Sequence, residues 1–127
     1  MNVINQYLIV GAAGSLGAML RLLVARISAN YLGAAFPYGT LIINVTGSLF
    51  LGWFMAFYGE RVIATDGLRL AAAVGFVGAY TTFSTFAYET DALLATGGEL
   101  KALANIVASV ALSLLAVRAG IWLVIRG

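Results

Sequence analysis

The sequence predicts an all-α integral membrane protein, a single domain of four transmembrane helices with the third helix broken. Three observations carry that expectation. Of 127 residues, 62% are hydrophobic and 9% charged, with a mean hydropathy of +1.00, whereas a soluble domain is usually about 25% charged. The apolar residues fall into four segments, each long enough to cross a hydrocarbon core that needs roughly 20 residues of helix. The third segment gathers glycines and β-branched residues where a continuous helix forms poorly. The absence of Cys and His removes disulfides, thiolate chemistry and imidazole metal sites. A net charge of +2, from seven basic and five acidic residues, is too small and too scattered for a nucleic-acid surface.

The first span is expected over about 4–26. It carries Gly11, Gly14 and Gly17 at three-residue spacing, then Arg21 and Arg26. A cleaved signal peptide would place basic residues ahead of its apolar run and a small-residue cleavage site after it. Met1–Tyr7 has neither Lys nor Arg, so the segment reads as a true span. Ser28–Tyr38, with the only proline, Pro37, reads as the first loop. The second span, Gly39–Tyr58, would rise about 30 Å as a helix, which matches the hydrocarbon thickness. It is uncharged, and its polar exceptions are Thr40, Asn44, Thr46 and Ser48. Gly59–Gly67 reads as a short polar loop.

The third span, 68–88, contains the stretch Gly75–Glu89, GFVGAYTTFSTFAYE. Thr81, Thr82, Ser84 and Thr85 place four hydroxyls within five residues, flanked by Phe83 and Phe86. In lipid each unpaired backbone group costs several kcal/mol, so an interrupted helix survives only inside protein or along a cavity. Such interruptions are where small ions are handled. A hydroxyl-rich packing seam is the other reading of the same cluster. Glu89–Glu99 reads as the third loop. The fourth span, 101–125, has Asn105, Ser109 and Ser113 at four-residue spacing, on one helical face.

Four spans put both termini on one side, with Arg61, Arg69 and Arg126 near it, Arg21, Arg26 and Lys101 near the other, and Arg118 too deep in the fourth span to count to either. Orientation follows Lys/Arg asymmetry, and three against three gives almost none. The chain is expected to insert either way up, unless so short a protein simply has few charges to bias it.

Asn44 sits near mid-span among Leu, Ile, Val and Phe, where an amide faces the bundle interior, a water-filled cavity or another helix. Phe83 and Phe86 share a helical face. Aromatic rings have positive edges, which solvate an anion weakly and bring no water, although most phenylalanines in such a protein only pack. Arg21, near a span end, either snorkels or adds positive potential to a vestibule. The glycine series, with Gly47, Ser48 and Gly52, is expected to permit close helix packing.

Together the segments G11AAGSLGAMLR21, G39TLIINVTGSLFLG52 and G75FVGAYTTFSTFAYE89 resemble the Fluc family of fluoride channels, also called the CrcB family, over essentially the whole chain. The resemblance implies a passive fluoride channel, multi-pass in the cell (inner) membrane. It implies an antiparallel dual-topology homodimer with two separate pores, which agrees with the balanced charge count. Asn44 then matches the pore asparagine, and Phe83 and Phe86 match the ring pair whose edges face the anion. Ser84 and Thr85 match a hydroxyl track opposite those rings, and Ser109 matches the pore-facing serine. Gly78 and Thr81 match positions whose backbone carbonyls, two from each subunit, hold a structural sodium ion at the dimer axis. Arg21 and Glu89 match a vestibule arginine and the acidic residue after the TTFSTF motif. Asn105 departs from the family, which often carries tyrosine there.

The physics agrees with that resemblance. Fluoride is small and strongly hydrated, so a selective path must replace water with donors at close range. Asn44, Ser84, Thr85 and Ser109 are able to supply them. No Lys or Arg lies within Leu41–Tyr58 or Leu70–Tyr88, and a full charge there would hold the anion too tightly for release. The competing class is a four-span proton-coupled drug or cation exporter, which needs a membrane-embedded carboxylate. The first two spans have none, and Glu89 is expected at a span end. A non-transporting assembly subunit would explain the glycine seams and leave the interrupted third span without a reason. No nucleophile–base pair, metal-ligand cluster or nucleotide-binding motif points to an enzyme.

Overall fold

The computed structural model describes residues 1–61 and 66–126, and the elements among them are helical. Four helical segments are long and apolar enough to cross a membrane. The first, α1, runs Val3–Leu32. Its start is capped by the Asn2 side chain, which accepts from the Asn5 amide at 2.8 Å. Its end is capped by Gly33 at φ 77, whose N–H returns to the Ala29 carbonyl at 3.1 Å. Glycine alone takes that conformation cheaply.

α1 therefore extends past the boundary expected for it, and the first loop shrinks from Ser28–Tyr38 to Gly33–Pro37. The cause is packing. Gly39, at the start of the next helix, lets α1 approach at Ala25 and Ser28, and Ser28 is buried there. α2 spans Tyr38–Arg61, with Pro37 just ahead of it, where a missing N–H does no harm. Of the expected loop Gly59–Gly67, residues 62–65 lie outside the described residues, as do the side chains of Glu60 and Arg61.

The third span is assembled from pieces. α3 covers Asp66–Arg69, a π-helical segment covers Leu70–Val77, and α4 covers Gly78–Tyr80. Thr81 (φ −79, ψ 157) and Thr82 (φ −151, ψ 115) are extended, and α5 then runs Phe83–Ala95. The third loop is Thr96–Gly98, much shorter than Glu89–Glu99. At Gly97, φ is 75, and the Gly97 and Gly98 amides return to the Leu94 and Leu93 carbonyls at 3.0 and 2.8 Å. α6 spans Glu99–Ile125.

Glycine sets the spacing of these helices. A Cβ at Gly17 would collide with the Phe76 carbonyl, and one at Gly75 would press on Val10 and Ala13, so α1 lies directly against the π-helical segment. A Cβ at Gly52 would collide with the Val117 carbonyl and one at Gly120 with the Leu49 carbonyl. α2 and α6 thus touch backbone to backbone. The buried apolar core is small, built from Ile43, Phe54, Val77, Tyr80, Ala102 and Val124, while leucines, valines and isoleucines cover the outside. That is the pattern expected where the surroundings are hydrocarbon.

Candidate functional site

The site begins at the two extended residues. An interrupted ladder exposes backbone groups that lipid cannot satisfy, and a side chain from α2 satisfies them. Asn44 Nδ2 donates to the Thr82 carbonyl at 3.1 Å, and the Thr82 N–H donates to Asn44 Oδ1 at 2.8 Å. One carboxamide thereby closes on both backbone groups of Thr82. Thr82 Oγ1 then caps α5, accepting from the Thr85 N–H at 3.2 Å while donating to Thr85 Oγ1 at 2.9 Å.

On the other side of the interruption, Thr81 Oγ1 donates to the Val77 carbonyl at 2.9 Å. Thr46 Oγ1 donates to the Ile42 carbonyl at 2.7 Å and lies 2.9 Å from the Tyr80 hydroxyl. A hydroxyl has one proton, so Tyr80 is the donor of that pair. α2 therefore grips the third span just before the extended residues, at Tyr80, and at the second of them, Thr82.

Held this way, α5 presents Phe83 and Phe86 to a cleft of about 390 Å³ between α2, the third span and α6. Their ring centroids are 5.6 Å apart and the rings are tilted by 50°. Asn44, Thr82 and Ser109 supply polar wall, and Ser48 and Ser113 extend it one turn along α2 and α6. Two of the three polar groups of the Asn44 amide are engaged by Thr82, which leaves its second N–H as a donor. Phe83 is 79% exposed, so the cleft is open on that flank of the chain.

The cleft gathers Asn44, Phe83, Phe86, Ser109 and Thr81. Ser84 and Thr85 lie outside its wall and are exposed on α5. Arg21 is half-buried on α1 and lines neither this cleft nor the next. Glu89 sits within α5 and not at a span end, because the helix continues to Ala95. It faces a second cleft of about 390 Å³ at the start of α2, shared with Thr40 and Thr96. Its Oε2 is buried and has no hydrogen-bond partner among the described residues.

Gly78 is helical, at φ −59 and ψ −34. Its place therefore depends on no unusual backbone angle. Thr82, expected only as one of four hydroxyls, and Ser48, expected to serve helix packing, both line the cleft. A threonine directly ahead of an apolar helical run is an N-cap signal, and Ser48 is four residues from Asn44, on the same face.

The profile of the CrcB-like proteins, described as Camphor Resistance (CrcB), matches residues 8–121. Several relatives carry the name fluoride-specific ion channel FluC. The one from Sulfurihydrogenibium sp. (strain YO3AOP1) is 44% identical over 119 residues, covering 94% of this chain and 96% of its own. That from Rhizobium meliloti (strain 1021) is 46% identical over 119 residues, covering 94% and 95%. A third, from Clostridium perfringens (strain 13 / Type A), is 42% identical over 113 residues, covering 89% and 88%.

Proposed function

This chain belongs to the CrcB-like family, and from that premise we propose that it is a fluoride-selective passive channel, exporting fluoride across the cell membrane through the cleft beside Phe83 and Phe86. The observation that supports the reading is the Asn44 clamp on Thr82 at the start of the helix bearing Phe83 and Phe86, beside a cleft whose lining includes both rings and Ser109 of α6. An anion there meets an amide N–H, positive ring edges and a hydroxyl, and no fixed positive charge. That combination strips hydration without trapping the ion.

The conducting unit is an antiparallel homodimer with two pores. An open flank carrying a phenylalanine that is 79% exposed supports a second copy as the missing wall. The structural sodium ion at the dimer axis is part of the same proposal, and the donor chemistry fits it. The amides that would normally bond the Gly78 and Thr81 carbonyls are those of Thr82 and Thr85, and they donate to Asn44 Oδ1 and Thr82 Oγ1 instead. Carbonyls left out of the helical ladder suit a hard cation that seeks oxygen. Gly78 and Thr81 would each contribute one from each chain.

The test is anion efflux from liposomes holding the purified protein. Fluoride should leave passively and electrogenically, with chloride strongly excluded. Efflux that requires a proton gradient would favour the exporter class, with Glu89 as its carboxylate. Equal passage of chloride would remove the selectivity mechanism.

A further inference from the structure

Asn105 is 1% exposed and takes no part in the cleft wall, yet it belongs to a chain of hydrogen bonds that ends there. Thr90 Oγ1 donates to the Phe86 carbonyl at 2.7 Å. A hydroxyl has a single proton, so toward Asn105 Thr90 is able only to accept. That fixes the orientation of the amide: Nδ2 donates to Thr90 Oγ1 at 2.9 Å, and Oδ1 faces Ser109. The reverse orientation would oppose two acceptors inside a buried pocket, which is costly. Ser109 must then be the donor to Oδ1, at 3.3 Å.

The consequence is that the Ser109 proton points into the protein and its lone pairs face the cleft, which repels an anion. At 3.3 Å this bond is long for one hydroxyl donating to oxygen, where 2.5–3.0 Å is usual, so it is readily given up. We propose that Asn105 is a positioning residue for the anion at Ser109. Its carbonyl oxygen accepts the Ser109 O–H while the cleft is empty, and the hydroxyl, keeping its proton, turns to donate to an arriving anion. The hydroxyl turns back to Asn105 as the anion leaves, which weakens binding and speeds release. The inference rests on reading the cleft as the fluoride path.

The experiment measures fluoride conduction in planar bilayers against fluoride concentration. Asn105→Leu removes the inward acceptor at similar volume, and the half-saturating concentration should fall roughly fivefold, the factor that one net hydrogen bond of about 1 kcal/mol represents. Thr90→Val removes what fixes the amide and should shift it the same way. Thr90→Ser, which keeps the hydroxyl, should behave as the parent. A residue that only supported the fold would lose current without tightening binding.

A double-mutant cycle locates the effect. Combined with Ser109→Ala, Asn105→Leu should no longer move the half-saturating concentration. An equal shift in that background overturns the inference. So does no shift from Asn105→Leu in the parent when Ser109→Ala alone changes conduction, and in that case the pathway reading stands. Conduction untouched by Ser109→Ala removes Ser109 from the path, and the role of Asn105 with it. If Asn105→Leu does not assemble, Thr90→Val carries the same comparison.

Discussion

At the scale of single residues, Asn44 and Ser109 line one cleft but do different work, and substitution separates them. Asn44→Leu leaves the Thr82 N–H and carbonyl without partners, and each buried orphan costs about 1–3 kcal/mol. A loss of roughly 2–6 kcal/mol in unfolding stability in detergent is expected on that basis. Ser109→Ala, which removes a single long side-chain bond among the described residues, should cost under about 1 kcal/mol and act instead on fluoride efflux. The phenylalanines make the complementary case. If Phe83 and Phe86 only fill space, Phe→Ile should be tolerated within about 1.5 kcal/mol. If their edges solvate the anion, efflux should fall far more than stability for at least one position, and Phe→Met should hurt less. Both isoleucine variants folding and conducting as the parent would end the edge-solvation idea. Asn44 was legible in the sequence as a lone amide at mid-span. Its partner was not, since Thr82 is 38 residues away and the bonds run to backbone, which no side-chain pattern encodes.

At the scale of elements, the glycines fall into those that set a helix contact and those that do not. Gly17→Ala and Gly120→Ala drive a methyl into the Phe76 and Leu49 carbonyls, forcing backbone shifts that typically cost about 1–3 kcal/mol. Gly11, with nothing within 4 Å of its would-be Cβ, should gain about 0.5–1 kcal/mol as alanine from helix propensity alone. Thermal unfolding of the three variants side by side checks the ordering, and a destabilised Gly11→Ala would place an unrecognised neighbour on that face. Gly78 belongs with Gly11 inside one chain: its Cβ would meet only the Ala73 carbonyl, at 3.8 Å. Gly78→Val should therefore leave the chain's own fold intact and act only where a second copy or an ion approaches. Span existence was plain from apolar runs, because lipid demands them. The ends were not, since α1 and α5 continue through Ser28–Leu32 and Glu89–Ala95 on packing and caps. Nor was the π-helical segment, where an Ala- and Gly-rich run reads as ordinary helix until α1 is placed against it.

At the scale of the whole molecule, the question is what one chain leaves undone. Phe83 is 79% exposed and the cleft it borders is open on that flank, and Gly78 is exposed as well. A parallel second copy would need every chain inserted the same way, which the Lys/Arg count does not enforce. An antiparallel pair needs both orientations, which a near-balanced count supplies. Lysines on one side should break that balance. Gly59→Lys with Asp66→Lys, both exposed positions near the termini side, should bias the chain to one orientation. Ala35→Lys with Glu99→Lys, exposed at the opposite end, should bias it to the other. Each double variant expressed alone should insert uniformly and conduct no fluoride in liposomes, for want of oppositely inserted partners. Expressed together they should recover conduction, with each orientation confirmed by labelling of an introduced cysteine from outside. Uniform orientation with full conduction from either variant alone would show that an antiparallel partner is not required, and the wall facing Phe83 would have to come from a parallel copy or from lipid.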